Sequence, residues 1–247
     1  MSKEKIQDHY LKILTQVHGY KKQPTEEELF IALTGSAKEG SIGEAIKNKI
    51  GKHYIREYVE DVIDSHFDFR EHTALVMCHG YTYMDWLENV PDEETEKIIN
   101  TNLYGSIRMI KQFVIDTIDT PYRKKIISIG SMAYNKVLNG SAAYCASKAG
   151  LNMFIRCAAW ELAPKGFDVY IIHPSNVVDT PMTQDTINNL VRYRKLSLNE
   201  AIDYWRSNNI RESFLTKDEI AQHVEYILFN DTSYLSGCPI ELAGGNR

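Results

Sequence analysis

The chain has 247 residues, 43% of them hydrophobic and 25% charged, with a net charge of −5 and a pI near 5.9. That length and balance suit one large α/β domain with its own core and exclude a disordered chain. No basic surplus marks a nucleic-acid or anionic-membrane partner, and no apolar run approaches the roughly 18 residues needed to span a bilayer, so a small-molecule partner is expected. Residues 1–7 are too polar for a secretory signal, which predicts a cytoplasmic protein. Cys78, Cys145, Cys157 and Cys238 show no C-x-x-C spacing and read as reduced, structural thiols.

In chain order, Ile6, Tyr10, Ile13, Leu14 and Val17 recur at three- and four-residue spacing and predict an amphipathic helix over 3–19. Residues 1–27 are therefore taken as a helical extension and 28–247 as the main domain. A short apolar run, 29–33, meets glycine at once and predicts a buried strand feeding a tight turn; a helix follows over 41–52. Residues 53–59, rich in β-branched and aromatic side chains, predict a second strand, and 73–78 a third. The segment 92–118 opens with acidic residues suited to a helix start and carries a long apolar stripe. A strand at 124–131, a helix at 141–163, a strand at 167–174, a polar helical stretch at 183–212, a helix at 216–229 and a last strand in 238–245 complete the alternation. Continuous apolar strands separated by helices predict a doubly wound parallel sheet covered on both faces, a Rossmann-type α/β fold.

Three features carry chemistry. Where the first strand turns into a helix, small residues cluster from Gly35 to Gly43, and such a turn lets backbone N–H groups approach a pyrophosphate. A plain strand-to-helix turn explains the cluster equally well, because it does not fit G-x-G-x-x-G. Tyr144 and Lys148 lie four apart on one helix face, so a cation can stand beside a phenol whose unperturbed pKa is about 10, giving a general acid/base. An exposed pair is the common alternative, yet this is the only Tyr-x-x-x-Lys among 15 tyrosines. Ser131 closes the strand 124–131 at the carboxyl edge of the sheet, where a hydroxyl either orients a carbonyl substrate or caps a turn.

In order and spacing these residues resemble the short-chain dehydrogenase/reductases over roughly residues 28–245. Ser131 lies 13 residues before Tyr144, and Asn102 in TNLYGS resembles the family's helix asparagine. The resemblance implies that Tyr144 donates or accepts the proton, that Lys148 binds the nicotinamide ribose and lowers the tyrosine pKa, that Ser131 orients substrate, and that Asn102 holds a relay water. It also implies a phosphate loop of Gly35, Ser36, Lys38, Gly40, Ser41, Ile42 and Gly43, cofactor contacts from Cys78 and Gly80, and contacts from Val177 and Thr180 in HPSNVVDTPM. A homodimer or homotetramer is implied, with 183–212 covering the substrate.

The sequence departs from the pattern in four places. Glu39 and Ser41 stand where the family's usual motif has glycines, and the loop resembles the variant found in enoyl-acyl-carrier-protein reductases. Met77-Cys78-His79-Gly80 replaces Asn-Asn-Ala-Gly, and Pro174-Ser175-Asn176 replaces Pro-Gly, with Thr180 one residue late. From Gly35 to Gly80 is only 45 residues, short by about one strand-helix unit of roughly 30 residues, which removes a wall of the adenine pocket unless the N-terminal helix covers it. Glu60 and Asp61 sit where an acidic residue binds the ribose hydroxyls of NAD, whereas Lys38 and Arg56 could accept the NADP phosphate; the balance tips slightly to NAD. The expected activity is hydride transfer between NAD(P) and a small carbonyl or alcohol, with Tyr81, Tyr83, Met84, Trp86, Tyr134, Met182, Tyr193 and Trp205 available as an apolar wall. The alternative is a non-catalytic dinucleotide sensor or scaffold; a nucleotide-sugar epimerase would need a larger C-terminal domain.

Overall fold

The computed structural model describes residues 21–51, 54–59, 61–63, 65–207, 211 and 213–245, so the helix expected at 3–19 lies outside the described residues. Six strands form one parallel sheet in the order β2-β1-β3-β4-β5-β6. They are β1 (Phe30–Thr34), β2 (Tyr54–Tyr58), β3 (Ala74–Met77), β4 (Lys124–Ile129), β5 (Phe167–Pro174) and β6 (Pro239–Leu242). Every position of β3, β4 and β5 is buried, as strands covered on both faces must be. Helices α1 (Ile42–Ile50) and α7 (Lys217–Phe229) pack Ile46, Ile50, Ile220 and Val224 on one face. On the other, α3 (Gly105–Thr117) and α4 (Ala142–Leu162) supply Met109, Phe113, Leu151 and Ile155. Lys125 enters this interior because its ammonium donates to the carbonyls of Ile227, Leu228 and Asn230 at 2.8, 3.1 and 2.7 Å, satisfying the last turn of α7.

The helix expected over 92–118 is interrupted. Helix α2 (Asp92–Ile99) passes through a π turn, Asn100–Tyr104, before α3 begins, and the Gly105 N–H reaches back to the Asn100 carbonyl. A Cβ on Gly105 would lie 2.5 Å from Val62, so this bend sits against the segment joining β2 to β3. That segment, 59–73, contains no helix or strand among the described residues. It covers the sheet with aromatic rings instead: Phe69 lies 5.1 Å from Tyr58, 5.9 Å from Phe67 and 5.6 Å from Phe113. Asp116 accepts the Phe69 N–H at 2.9 Å, and Arg108 donates to the Val62 carbonyl at 3.2 Å, fixing the segment to α3. Over the carboxyl edge of the sheet lie α5 (Pro181–Arg194), which begins two residues before the stretch 183–212 expected to cover substrate, and α6 (Leu198–Arg206), which lies inside it. Among the described residues no helix is long and apolar enough to cross a membrane.

Candidate functional site

The carboxyl ends of β1, β3, β4 and β5 open into one cleft of about 560 Å³, a size suited to small ligands. Ser131, Tyr144, Lys148, Gly35, Lys38, Ser41, Ile42, Asp61, Cys78, Gly80, Val177 and Thr180 all line it. Asn102, Ser36, Gly40 and Gly43 do not.

Tyr144 and Lys148 occupy successive turns of α4, with the lysine Nζ 5.7 Å from the centroid of the tyrosine ring. Lys148 is 4% exposed; its ammonium donates to the Ile129 carbonyl at 3.3 Å and forms no ion pair with a described carboxylate. Burial pushes this amine down to about 8, so it stays largely cationic at pH 7. Burial raises the Tyr144 phenol above its ordinary value, opposed by a hydrogen bond with the Ser131 side chain. Ser131 also caps the turn Met132–Tyr134 by accepting the Ala133 N–H at 3.2 Å, the capping role considered for its hydroxyl. Asn102 is 1% exposed in the π turn. Its Nδ2 donates to the Tyr81 carbonyl at 2.9 Å and to Ser147 Oγ at 3.0 Å, while its Oδ1 accepts the Tyr81 N–H at 2.8 Å.

At the other end the turn after β1 is held by close backbone approach. Gly35 has φ +72°, and a Cβ there would lie 2.5 Å from the Cys78 carbonyl carbon; a Cβ on Gly43 would lie 2.4 Å from the Gly35 oxygen. Ser41 caps α1 by accepting the Glu44 N–H at 3.1 Å. Ser36 is buried and donates to Glu57 at 2.6 Å, and Lys47 pairs with the same carboxylate at 3.4 Å. Thr180 caps α5, so its hydroxyl already serves the Thr183 N–H. The Asp61 Oδ1 accepts the Ile63 N–H at 2.7 Å; Glu60 lies outside the described residues. Arg56 stacks 5.2 Å from Tyr58, on the face of β2 opposite Glu57 and away from the glycine turn. The Cys78 thiol is pushed up to about 12 by burial, which keeps it protonated. Of the residues expected to form an apolar wall, Tyr81, Met84, Met182, Tyr193 and Trp205 line the cleft. Trp86 instead packs edge-on against Tyr193 at 5.5 Å, Tyr83 lies under Arg192, and Tyr134 stacks 3.9 Å from His173.

Three residues at the site escape the sequence reading. Glu57 sits inside β2, before the acidic pair the spacing singles out. His173, fully buried, meets the Ser131 backbone through Nδ1 (3.2 Å to its nitrogen, 2.9 Å to its carbonyl oxygen) and Asn152 Oδ1 through Nε2 (3.1 Å); a Cβ on Gly130 would strike its ring at 2.5 Å. His79 bridges Thr34 and Ser106 at 2.8 and 3.0 Å. Burial holds both imidazoles neutral, at about 4 for His173 and about 3 for His79. Only the altered Met77–Gly80 stretch signalled one of them, because a buried histidine has no spacing signature.

With this geometry in place, residues 52–246 match the family model described as Enoyl-(Acyl carrier protein) reductase. The chain belongs to the short-chain dehydrogenase/reductase family. The match starts beyond the glycine turn. The chain is 27% identical over 202 residues to the 3-oxoacyl-[acyl-carrier-protein] reductase FabG of Buchnera aphidicola, covering 82% of this chain and 72% of that protein. It is 27% identical over 177 residues to the human (3R)-3-hydroxyacyl-CoA dehydrogenase, covering 71% and 63%. The fold is similar to NAD+-bound xylitol dehydrogenase, with a TM-score of 0.80 at 18% identity over 90% of this chain and 100% of that one. A variant of actinorhodin polyketide ketoreductase with NADPH gives 0.75 at 20% identity, over 90% and 98%.

Proposed function

We propose that the protein is an NAD(P)-dependent oxidoreductase that reduces a carbonyl, with Tyr144 as the proton donor. The observation that carries this reading is that one cleft runs from the glycine turn of β1 to Ser131, Tyr144 and Lys148, the span a nicotinamide dinucleotide needs. The residues fit such a cofactor: Gly35 lets the turn after β1 close against the Cys78–His79 backbone so that Lys38, Ser41 and Ile42 face the cleft, and Lys148 is a buried cation with hydrogen-bonding capacity to spare for ribose hydroxyls. When bound, a reduced nicotinamide supplies a hydride to the carbonyl carbon. Ser131 holds the carbonyl oxygen, and Tyr144, protonated at neutral pH because burial raises its pKa, gives that oxygen its proton. Lys148 stabilises the resulting phenolate. Asn102, its amide spent on Tyr81 and Ser147 and its carbonyl accepting the Ser106 hydroxyl, fixes α4 in place and so positions Tyr144 and Lys148.

Glu57 supports NAD over NADP. Its carboxylate, held by Ser36 and Lys47 beside the glycine turn, places negative charge next to the cleft and disfavours an added ribose phosphate there, whereas Arg56 faces away. Helices α5 and α6 cover the substrate, and the wall of Met84, Leu190, Tyr193 and Trp205 suits an apolar group beside the carbonyl. The test is titration with NADH and NADPH, then a carbonyl panel comparing the native protein with Tyr144→Phe. Loss of turnover by about 10²–10⁴-fold with NADH affinity unchanged supports the reading. Tight cofactor binding with no Tyr144-dependent turnover on any carbonyl favours a dinucleotide sensor.

A further inference from the structure

His79 lies between the two ends of the cleft, and the direction of each hydrogen bond around it is set by the groups present. The Ser106 hydroxyl donates to the Asn102 carbonyl at 3.0 Å, so its lone pair accepts from His79 Nε2 at 3.0 Å. Nδ1 then carries no hydrogen and accepts from the Thr34 hydroxyl at 2.8 Å. Thr34 ends β1 immediately before Gly35, and a Cβ on Gly35 would lie 2.5 Å from the His79 nitrogen, so the glycine turn rests directly on the His79 backbone. At the far end, Asn102 joins the Tyr81 backbone to Ser147, the residue before Lys148.

We propose that His79 is a positioning residue: as a neutral Nε2–H imidazole it locks the glycine turn to the Asn102 support of the Tyr144/Lys148 helix, setting the spacing between cofactor and proton donor. This inference rests on the functional reading above for the meaning of the two ends. Desolvation and the facing Lys148 cation both oppose protonation of the ring, which would set a second N–H against the Thr34 hydroxyl. Glutamine is the conservative replacement, because its amide offers one acceptor and one donor without a charge.

The test combines nitrogen NMR of the imidazoles in the full chain with NADH binding and turnover of His79→Leu, His79→Gln and Ser106→Ala. In the native protein the His79 resonances, assigned by their loss in His79→Gln, should report the Nε2–H tautomer at pH 7 and stay neutral down to pH 5; Ser106→Ala should raise the Nδ1–H population. His79→Leu should weaken NADH binding by about tenfold and lower kcat, while His79→Gln stays within about threefold of native on both. An Nδ1–H tautomer, titration near the ordinary imidazole value of about 6.5, or native-like NADH binding and kcat in His79→Leu overturns the proposal. If His79→Leu does not fold, the spectra and the other two variants decide it. Failure of the native protein to bind NADH overturns the functional reading instead, and the spectra, which need no cofactor, still decide the lock.

Discussion

At the Tyr144 end of the cleft, polar groups are held deep among packed elements: Lys148 is 4% exposed, Asn102 1% and His173 not at all. At the Asp61 end the sheet stops at a five-residue strand, β2, and an irregular segment lined with phenylalanines takes the place of a helix. The first end holds its polar groups at a cost in stability, because the buried Lys148 amine has lost solvation that no described counter-ion restores, and the His173 and His79 imidazoles are held neutral. The second contributes little polar machinery and much of the local core. Precision and stability are thus concentrated at opposite ends of one molecule.

This contrast can be broken by experiment. The largest effect on stability is expected from Phe69→Ala, which empties a fully buried site and should cost about 3–5 kcal/mol in chemical denaturation. A loss below about 1 kcal/mol would show that the 59–73 segment is not part of the core. Lys148→Met should do the reverse at pH 7, raising stability by up to about 3 kcal/mol while abolishing turnover, since the amine falls from 10.5 to about 8 on folding. The sign follows from the folded value lying below the unfolded one. The native protein bears the whole penalty below pH 8 and sheds it as pH rises to about 10.5, so the gain in the variant should shrink over that window.

An acid ramp sharpens the comparison further. His173 falls from 6.5 to about 4 on folding, so the unfolded chain binds the proton first. Stability should therefore fall as pH drops from about 6.5 towards 4, and His173→Gln, whose amide can still hydrogen-bond the Ser131 backbone and Asn152, should flatten that slope in thermal melts. An unchanged slope would move the acid sensitivity to other groups. The smallest effect is expected at the Asp61 end: Glu57→Gln should narrow the preference for NADH over NADPH by about tenfold in paired titrations, with turnover of the bound complex little altered. A preference that does not move would take Glu57 out of cofactor selection.

Much of the fold is legible in the sequence because periodicity reports burial directly. The short, mainly apolar runs of β1, β3, β4 and β5 read as strands covered on both sides, and the four-residue interval of Tyr144 and Lys148 places them on one helix face. The meeting of Ser131 with that pair followed from its position at a strand end. The π turn at Asn100–Tyr104 was not legible, because its residues continue a helical stripe and the interruption coincides with contact to Val62, far away in sequence. The same holds for Glu57, which reads as one polar residue of an edge strand until Ser36 is folded against it.

By itself, then, the sequence determined the alternating α/β order, the parallel sheet and the identity of the groups at the Tyr144 end, since each depends on local spacing. Only the tertiary structure decided what surrounds them: the neutral histidines behind Ser131 and Asn102, the carboxylate beside the glycine turn, and the aromatic segment that closes the sheet beyond β2. Those depend on contacts between residues tens of positions apart, and burial, which sets both the charge state of a side chain and the strength of its hydrogen bonds, exists only once those residues have met.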